Sequence, residues 1–338
     1  LVARLPASSR IDRWRWTTVV IGIDCHKATL SACAVDALGA EVAAATFRNT
    51  AAGHVELLGW ARTLGGVRRI GIEGSGFYGY ALARHLASAG ESVVEVPSRL
   101  TERERGRLRR PGKSDAGDAL AIARVAAREE DLPQAGRDDV SHELRQLLDY
   151  REQLVKERTR VANRLHADLV ARHPGYQEAV KNLVSRRWLR AAEALIGADT
   201  TVAGALAGRR LGKLLGLDGE IAELKRLIAD RVERRRSGLT RIPGVGALVA
   251  GRILAEVGNV RRFRSAAHFA AANGTAPVPV SSGQVNRHRL NRGGNRRLNR
   301  TLHTVALAQA RSDPRARAYV QRRRAEGKTQ REAIRCLK

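Results

Sequence analysis

Methionine is missing from all 338 residues, position 1 included. The expectation is a chain that lacks its original start or begins at a non-standard codon, and its abrupt end at Cys336-Leu337-Lys338 reads as a further truncation. Cysteine is scarce: Cys25, Cys33 and Cys336 are odd in number and show no CxxC or CxxH spacing, which excludes a disulfide framework and a zinc knuckle and fits a reducing, cytoplasmic home. No run of about eighteen apolar residues occurs, and residues 1–16 alternate Arg with apolar side chains, so neither a membrane span nor a signal peptide is expected. Aromatic residues amount to 4 Phe, 4 Trp and 5 Tyr, too few for broad stacking of bases. Acidic residues are also short: 34 Asp plus Glu face 61 Lys plus Arg, a net charge of +27. A GC-rich coding sequence accounts for Arg outnumbering Lys but not for that excess, and the guanidinium fork suits phosphate, so a nucleic acid is the expected partner.

The length exceeds one ordinary domain, and three parts are expected: residues 18–132, 133–237 and 238–335. In the first, the β-branched run at 18–24 and the stretches 30–36 and 41–49 read as three neighbouring strands. A helix at about 52–64, a strand at 68–74, a helix at 78–90 and a strand at 92–98 follow. The order β-β-β-α-β-α-β is that of an α/β ribonuclease-H-like (RuvC-like) domain, though fold alone does not establish nuclease chemistry. A basic loop from Thr101 then leads to a helix beginning near Ser114, and residues 131–139 read as a linker.

The middle part reads as helical. Leu147, Leu154 and Val161 recur seven apart from Ser141 to His173, and Leu217, Ile221, Leu224, Ile228 and Val232 mark a second helix near 214–235. The two stripes suit an intramolecular antiparallel hairpin as well as a coiled-coil dimer seam. The last 98 residues hold 21 Lys plus Arg and only 4 acids, and nucleic acid is expected to dock there. That part is expected to be mainly α. At 239–258 an apolar helix end, the turn Pro243-Gly244-Val245-Gly246 and another helix suggest a helix-hairpin-helix, in which Gly244 and Gly246 let the backbone approach a phosphate.

Two constellations carry chemistry. Asp24 and Glu73 each end a strand, and Asp115 and Asp118, three apart, share one helix face. Taken singly each acid reads as a turn, cap or solvated residue; in this order and spacing they suit one or two Mg²⁺ ions, hard cations that take oxygen ligands and clamp a phosphoryl displacement. Further on, Ser281 and Ser282 precede Gly283 in a Pro-rich loop, followed by Arg287, Arg289, Arg292, Arg296, Arg297 and Arg300. Ser-Ser-Gly alone is a common loop composition, but a serine beside phosphate-binding arginines can also be a nucleophile. His288 and His303 lie nearby without marking either as its base.

Taken together, the segments GIDCHK, IEGSG, KSDAGDALAIARVA, RIPGVG, GTAPVPVSSG and HRLNRGGNRRLNR, ordered from Val19 to Ala333, strongly resemble the insertion-sequence-110 family of DEDD transposases. The resemblance implies a RuvC-like catalytic domain, a coiled-coil linker and a C-terminal transposase domain with a nucleophilic serine. It implies that Asp24, Glu73, Asp115 and Asp118 bind Mg²⁺, and that Ser282, or as second choice Ser281, attacks DNA to form a transient phosphoserine link. It further implies double-stranded DNA and a guide (bridge) RNA as partners, with assembly as a homo-oligomer, dimer or tetramer. Two other readings of the residues stand beside it: a Mg²⁺-dependent junction resolvase or nuclease using the acids alone, and a non-enzymatic nucleic-acid-binding protein.

Overall fold

The computed structural model describes residues 19–66, 68–106, 114–136, 139–282, 285–291 and 293–338. Strand β1 (Val19–Cys25) is apolar up to Asp24 and buried on both faces, as an unbroken Val/Ile run in a central strand requires. It pairs antiparallel with β2 (Thr29–Val35), which pairs antiparallel with the edge strand β3 (Glu41–Arg48). Thr50 caps α1 (Ala51–Thr63) through a hydroxyl that accepts from the Gly53 N–H. Next come β4 (Arg68–Glu73), α2 (Tyr80–Ser88) and β5 (Ser92–Glu95), both strands parallel to β1 in a sheet of order β3-β2-β1-β4-β5. The expected strand and helix order is observed, and the mixed sheet is RuvC-like.

Side-chain alternation sends the sheet's apolar residues to two cores. Ile21, Ile23, Ile70 and Ile72 pack with Leu57, Leu58, Leu82 and Leu86 of α1 and α2. On the opposite face Val20, Cys33, Val35 and Val94 meet Ile122, Ala123 and Ala126 of the helix that follows. Where a basic loop was expected from Thr101, residues Ser98–Arg105 form α3, because Thr101 and Glu104 turn inward and are buried while Glu102 and Arg103 face solvent. Residues 107–113 of that expected loop lie outside the described residues. Helix α4 (Asp115–Arg128) crosses β1 and β4 at the paired residues Gly22 and Gly71. A Cβ at Gly22 would overlap the Ala119 carbonyl and the Ala123 amide, and one at Gly71 would sit 2.7 Å from Ala126 Cβ. Two glycines therefore let an alanine-rich helix lie directly on the sheet.

The remainder is largely helical: α5 (Asp139–Arg172), α6 (Tyr176–Ala179), α7 (Arg186–Gly197), α8 (Val202–Arg234), α9 (Ala247–Val257), α10 (Ala266–Asn273), the hairpin β6 (Val278–Ser282) and β7 (Val285–Arg289), then α11 (Arg296–Ser312), α12 (Pro314–Ala325) and α13 (Gln330–Leu337). The chain forms two compact units, one of the described residues up to His142 with Val257–Asn299, the other of Glu143–Glu256 with Arg300–Lys338. No described helix is long and apolar enough to cross a membrane.

In the second unit the two long stripes meet each other. Leu154, Val161, Leu165 and Leu169 of α5 bury against Leu211, Leu214, Leu217 and Leu224 of α8. The ion pairs Glu143–Arg231, Asp218–Arg158 and Asp168–Arg210 run in opposite chain directions, so the pair is an antiparallel hairpin. The element entering the Pro243–Gly246 turn is a single 3-10 turn, Leu239–Arg241, rather than the expected helix end, since α8 has already stopped at Arg234.

Candidate active site

The register of β1 and β4 brings the first two acids together: Asp24 and Glu73 are direct partners at the adjacent ends of the two strands. The other two arrive on α4. Ser114 caps it, its hydroxyl accepting from the Gly117 N–H at 3.2 Å, which sets Asp115 and Asp118 in the first turn, where free N–H groups favour negative charge. The close glycine crossing carries that turn to the ends of the strands.

Each acid has its own environment. Asp118 is buried and accepts from Arg105 Nη1 at 2.8 Å, a contact that raises the guanidinium's affinity for its proton. Glu73 Oε2 accepts from the Thr101 hydroxyl at 2.5 Å. Asp115 is exposed, and Asp24 is half-buried. Burial pushes the Asp24 carboxyl above its ordinary range; His26 opposes that shift, while Asp118, Glu73 and Asp115 add to it by repulsion. The charges of Asp115, Asp118 and Glu73 are thus all felt at Asp24, while among the described residues the ligand atoms that lie close enough to share one ion are those of Asp24, His26 and Asp115, without Glu73 or Asp118. Burial, then the Asp24 charge, pushes the neighbouring Cys25 thiol up to about 12, so it is no nucleophile; Cys25, Cys33 and Cys336 are all free.

Sequence reasoning missed His26, Thr101 and Arg105. The Nε2 atom of His26 lies 3.1 Å from Asp24 Oδ2 and 3.4 Å from Asp115 Oδ1. It is shielded from solvent and makes no hydrogen bond of good geometry among the described residues. Asp24, His26 and Asp115 can each present one ligand atom to a shared point. Oxygen donors in excess, beside a buried nitrogen without a hydrogen bond, fit a divalent metal ion. The signal for His26 was present in GIDCHK, two residues past a strand-ending acid, whereas Thr101 and Arg105 were hidden by the reading of α3 as a loop.

Ser281 and Ser282 end β6, paired with Asn286 and Val285 of β7; only their backbone is described. Arg287 is likewise known by its backbone on β7, and Arg292 lies outside the described residues. Arg289, Arg296, Arg297 and Arg300 are exposed, and Arg289 helps line an open pocket of about 550 Å³ with Val278, Leu290, Asn291 and Gly293. The hairpin's base is held by amides: Asn291 Nδ2 donates to the Ala271 carbonyl and Asn299 Nδ2 to that of Asn273. The same segment is tied to the end of the acidic domain within the first unit. His268 Nε2 lies 2.5 Å from Asp131 Oδ2, Arg264 pairs with Glu130, and Arg262 donates to the Asp131 carbonyl while stacking on Phe263. In the second unit Gly244 has a φ of +80° and packs against Ala308 and the Val305 carbonyl of α11, while Gly246 is exposed where α9 begins.

Comparison with known proteins settles the kinship. A family model described as a transposase, of the DEDD type, matches residues 21–174, and another described as the transposase IS116/IS110/IS902 family matches residues 236–321. The uncharacterized 42 kDa protein of insertion element IS900 from Mycobacterium paratuberculosis is 32% identical over 75% of this chain and 75% of its own. The uncharacterized 44.8 kDa protein of IS116 from Streptomyces clavuligerus is 30% identical over 95% of this chain and 90% of its own. This chain belongs to the IS110 family of transposases. The transposase is also similar to the IS110 43.6 kDa protein of Streptomyces coelicolor, 29% identical over 73% of each chain. Among solved structures, T. thermophilus RuvC in complex with a Holliday junction substrate aligns with 31% of this chain and 90% of its own, at 18% identity and a TM-score of 0.26. The four acids of the transposase all lie within the region matched by the DEDD family model, and a transposase implies DNA binding.

Proposed function

We propose that this transposase is an RNA-guided DNA recombinase that cuts and rejoins DNA through a serine, Ser282 in first place and Ser281 in second, assisted by Mg²⁺ at Asp24, Glu73, Asp115 and Asp118. What supports the reading is that Asp24 and Glu73 are paired at the ends of β1 and β4 and that the charges of Asp115 and Asp118, in the first turn of α4, are felt at Asp24, in the same compact unit as the hairpin that bears the serines. In this reading residues 18–132 form the catalytic domain, 133–237 a helical linker and 238–335 the serine-bearing domain, and the protein works in the cytoplasm.

The four carboxylates would hold one or two Mg²⁺ ions, which supply positive charge to the oxygens of a phosphoryl transfer. Thr101 orients Glu73, and Arg105 holds the buried Asp118 in place through its 2.8 Å contact. The serine oxygen bonds to phosphorus as the bond from phosphorus to the leaving sugar oxygen breaks. A sugar hydroxyl of the exchanged strand then reverses the step and frees the serine, so phosphodiester energy is conserved and no nucleotide cofactor is consumed. Arg289, Arg296, Arg297 and Arg300, with Arg287, Arg292 and the backbone at Gly244 and Gly246, would contact phosphates of the double-stranded DNA or of the bridge RNA. With few aromatics, the RNA is held by backbone and shape, and base pairing reads the target. The α5–α8 hairpin occupies the stripe that could have served as a dimer seam, so assembly as a dimer or tetramer rests on the family resemblance.

The test incubates the full chain with Mg²⁺, element-end DNA and RNA transcribed from the element's non-coding flank. Recombination is expected to fall at least about 100-fold in both Ser282→Ala and Asp24→Ala. Normal cleavage with both serines changed to Ala makes the protein a metal-dependent nuclease, and binding with no Mg²⁺-dependent cleavage makes it an architectural binder.

A further inference from the structure

We propose that His26 is a direct metal ligand, so that the site has a mixed nitrogen and oxygen donor set and prefers Mn²⁺ to Mg²⁺. This inference rests on the metal reading of the acidic site and adds a residue and a preference to it.

Ligands at right angles around a small divalent ion, each about 2.1 Å from it, lie about 3 Å apart. His26 Nε2 stands 3.1 Å from Asp24 Oδ2 and 3.4 Å from Asp115 Oδ1, close to that edge length. The same nitrogen is shielded from solvent and lacks a well-aligned hydrogen bond. Asp24, His26 and Asp115 each offer one ligand atom to a shared point, an arrangement that a cation suits.

The backbone around His26 is held as a metal ligand's should be. Its N–H donates to the Thr29 carbonyl at 2.9 Å, and its carbonyl accepts from Asn49 Nδ2 at 2.8 Å. The same Asn49 amide reaches the Tyr78 carbonyl at 3.0 Å, and its Oδ1 lies 2.9 Å from His54 Nε2. Asn49 thus braces the β1–β2 turn against the chain that leaves Glu73. A fixed backbone leaves the ring few degrees of freedom and so lowers the entropic cost of coordination. Imidazole nitrogen suits Mn²⁺ and later divalent metals better than Mg²⁺, which favours oxygen and keeps its waters.

The test reads ligation directly. The full chain is titrated with Mn²⁺ and with Mg²⁺ by calorimetry, and the Mn²⁺ complex is examined by electron spin-echo spectroscopy for modulation by a directly bound ¹⁴N. Wild type is expected to show imidazole nitrogen modulation, lost in both His26→Ala and His26→Asn. In both variants Mn²⁺ affinity is expected to fall about 10- to 100-fold and Mg²⁺ affinity by less. Mn²⁺ bound in an Asp24-dependent way without ¹⁴N modulation in wild type overturns the role of His26 and leaves the acidic metal site standing. No Mn²⁺ binding, or binding unchanged in Asp24→Asn, overturns the metal reading itself.

Discussion

At the scale of single residues, burial first and like charge after it disfavour the charged form of Asp24. Asp24 has its carboxyl pushed up first by burial and then by Asp118, Glu73 and Asp115, with His26 as the counterweight. A carboxyl whose folded pKa is raised favours the fold while protonated, and that contribution is lost as pH rises from the unfolded value through the folded one. In metal-free protein at pH 7 the raised pKa of Asp24 therefore costs stability, and Asp24→Asn is expected to raise Tm, by about 2–4 °C per kcal/mol relieved. The gain should vanish near pH 3, where wild type is protonated too, and added Mg²⁺ should raise Tm in wild type more than in the variant. Differential scanning fluorimetry across pH checks this, and an Asn variant no more stable than wild type at pH 7 contradicts the charge balance described here. The placement of Asp24 and Glu73 at strand ends and of Asp115 and Asp118 in one helical turn was legible in the sequence, because both are local patterns. The contacts of Thr101 and Arg105 were not, because they depend on which elements meet at the ends of β1 and β4.

At the scale of elements, the closeness of α4 to the sheet sets the geometry of Asp115 and Asp118. That closeness depends on Gly22 and Gly71, side by side on β1 and β4. Gly22→Ala places a methyl against backbone atoms of α4 that cannot rotate away, and is expected to cost about 1–3 kcal/mol. It should also lower metal affinity, since the helix must shift with its acids. Chemical denaturation and Mn²⁺ titration measure both, and a variant with unchanged stability contradicts the packing argument. The strand order followed from hydrophobic pattern alone, but α3 did not: its run of Arg and Glu has the composition of a solvated loop, and only the inward turn of Thr101 and Glu104 makes it a helix. Similarly, Leu239 looked like a helix end because apolar residues precede the turn, while α8 had ended at Arg234 and left a 3-10 turn. The α5 and α8 stripes were both visible, yet a stripe does not name its partner; the opposite-running ion pairs do.

At the scale of the whole molecule, the excess of cations over acids and the two family regions converge on DNA. Binding should weaken steeply with salt, because each neutralised phosphate releases counterions; six to ten contacts imply a loss of about 10³- to 10⁵-fold between 50 and 200 mM. Replacing Arg289, Arg296 or Arg300 singly should reduce the slope of log affinity against log salt by about 1, and slopes unchanged in all three place the nucleic acid elsewhere. The central claim joins the two halves of the chain in one chemical step, and trapping that step tests it most directly. Purified protein, Mg²⁺, element-end DNA and the flank-derived RNA are quenched in denaturant and resolved for a covalent protein–DNA adduct, beside Ser282→Ala, Ser281→Ala and Asp118→Ala. An adduct is expected in wild type and Ser281→Ala and is expected to be absent from Ser282→Ala and Asp118→Ala. Cleaved DNA without an adduct, insensitive to both serine changes, would contradict that claim.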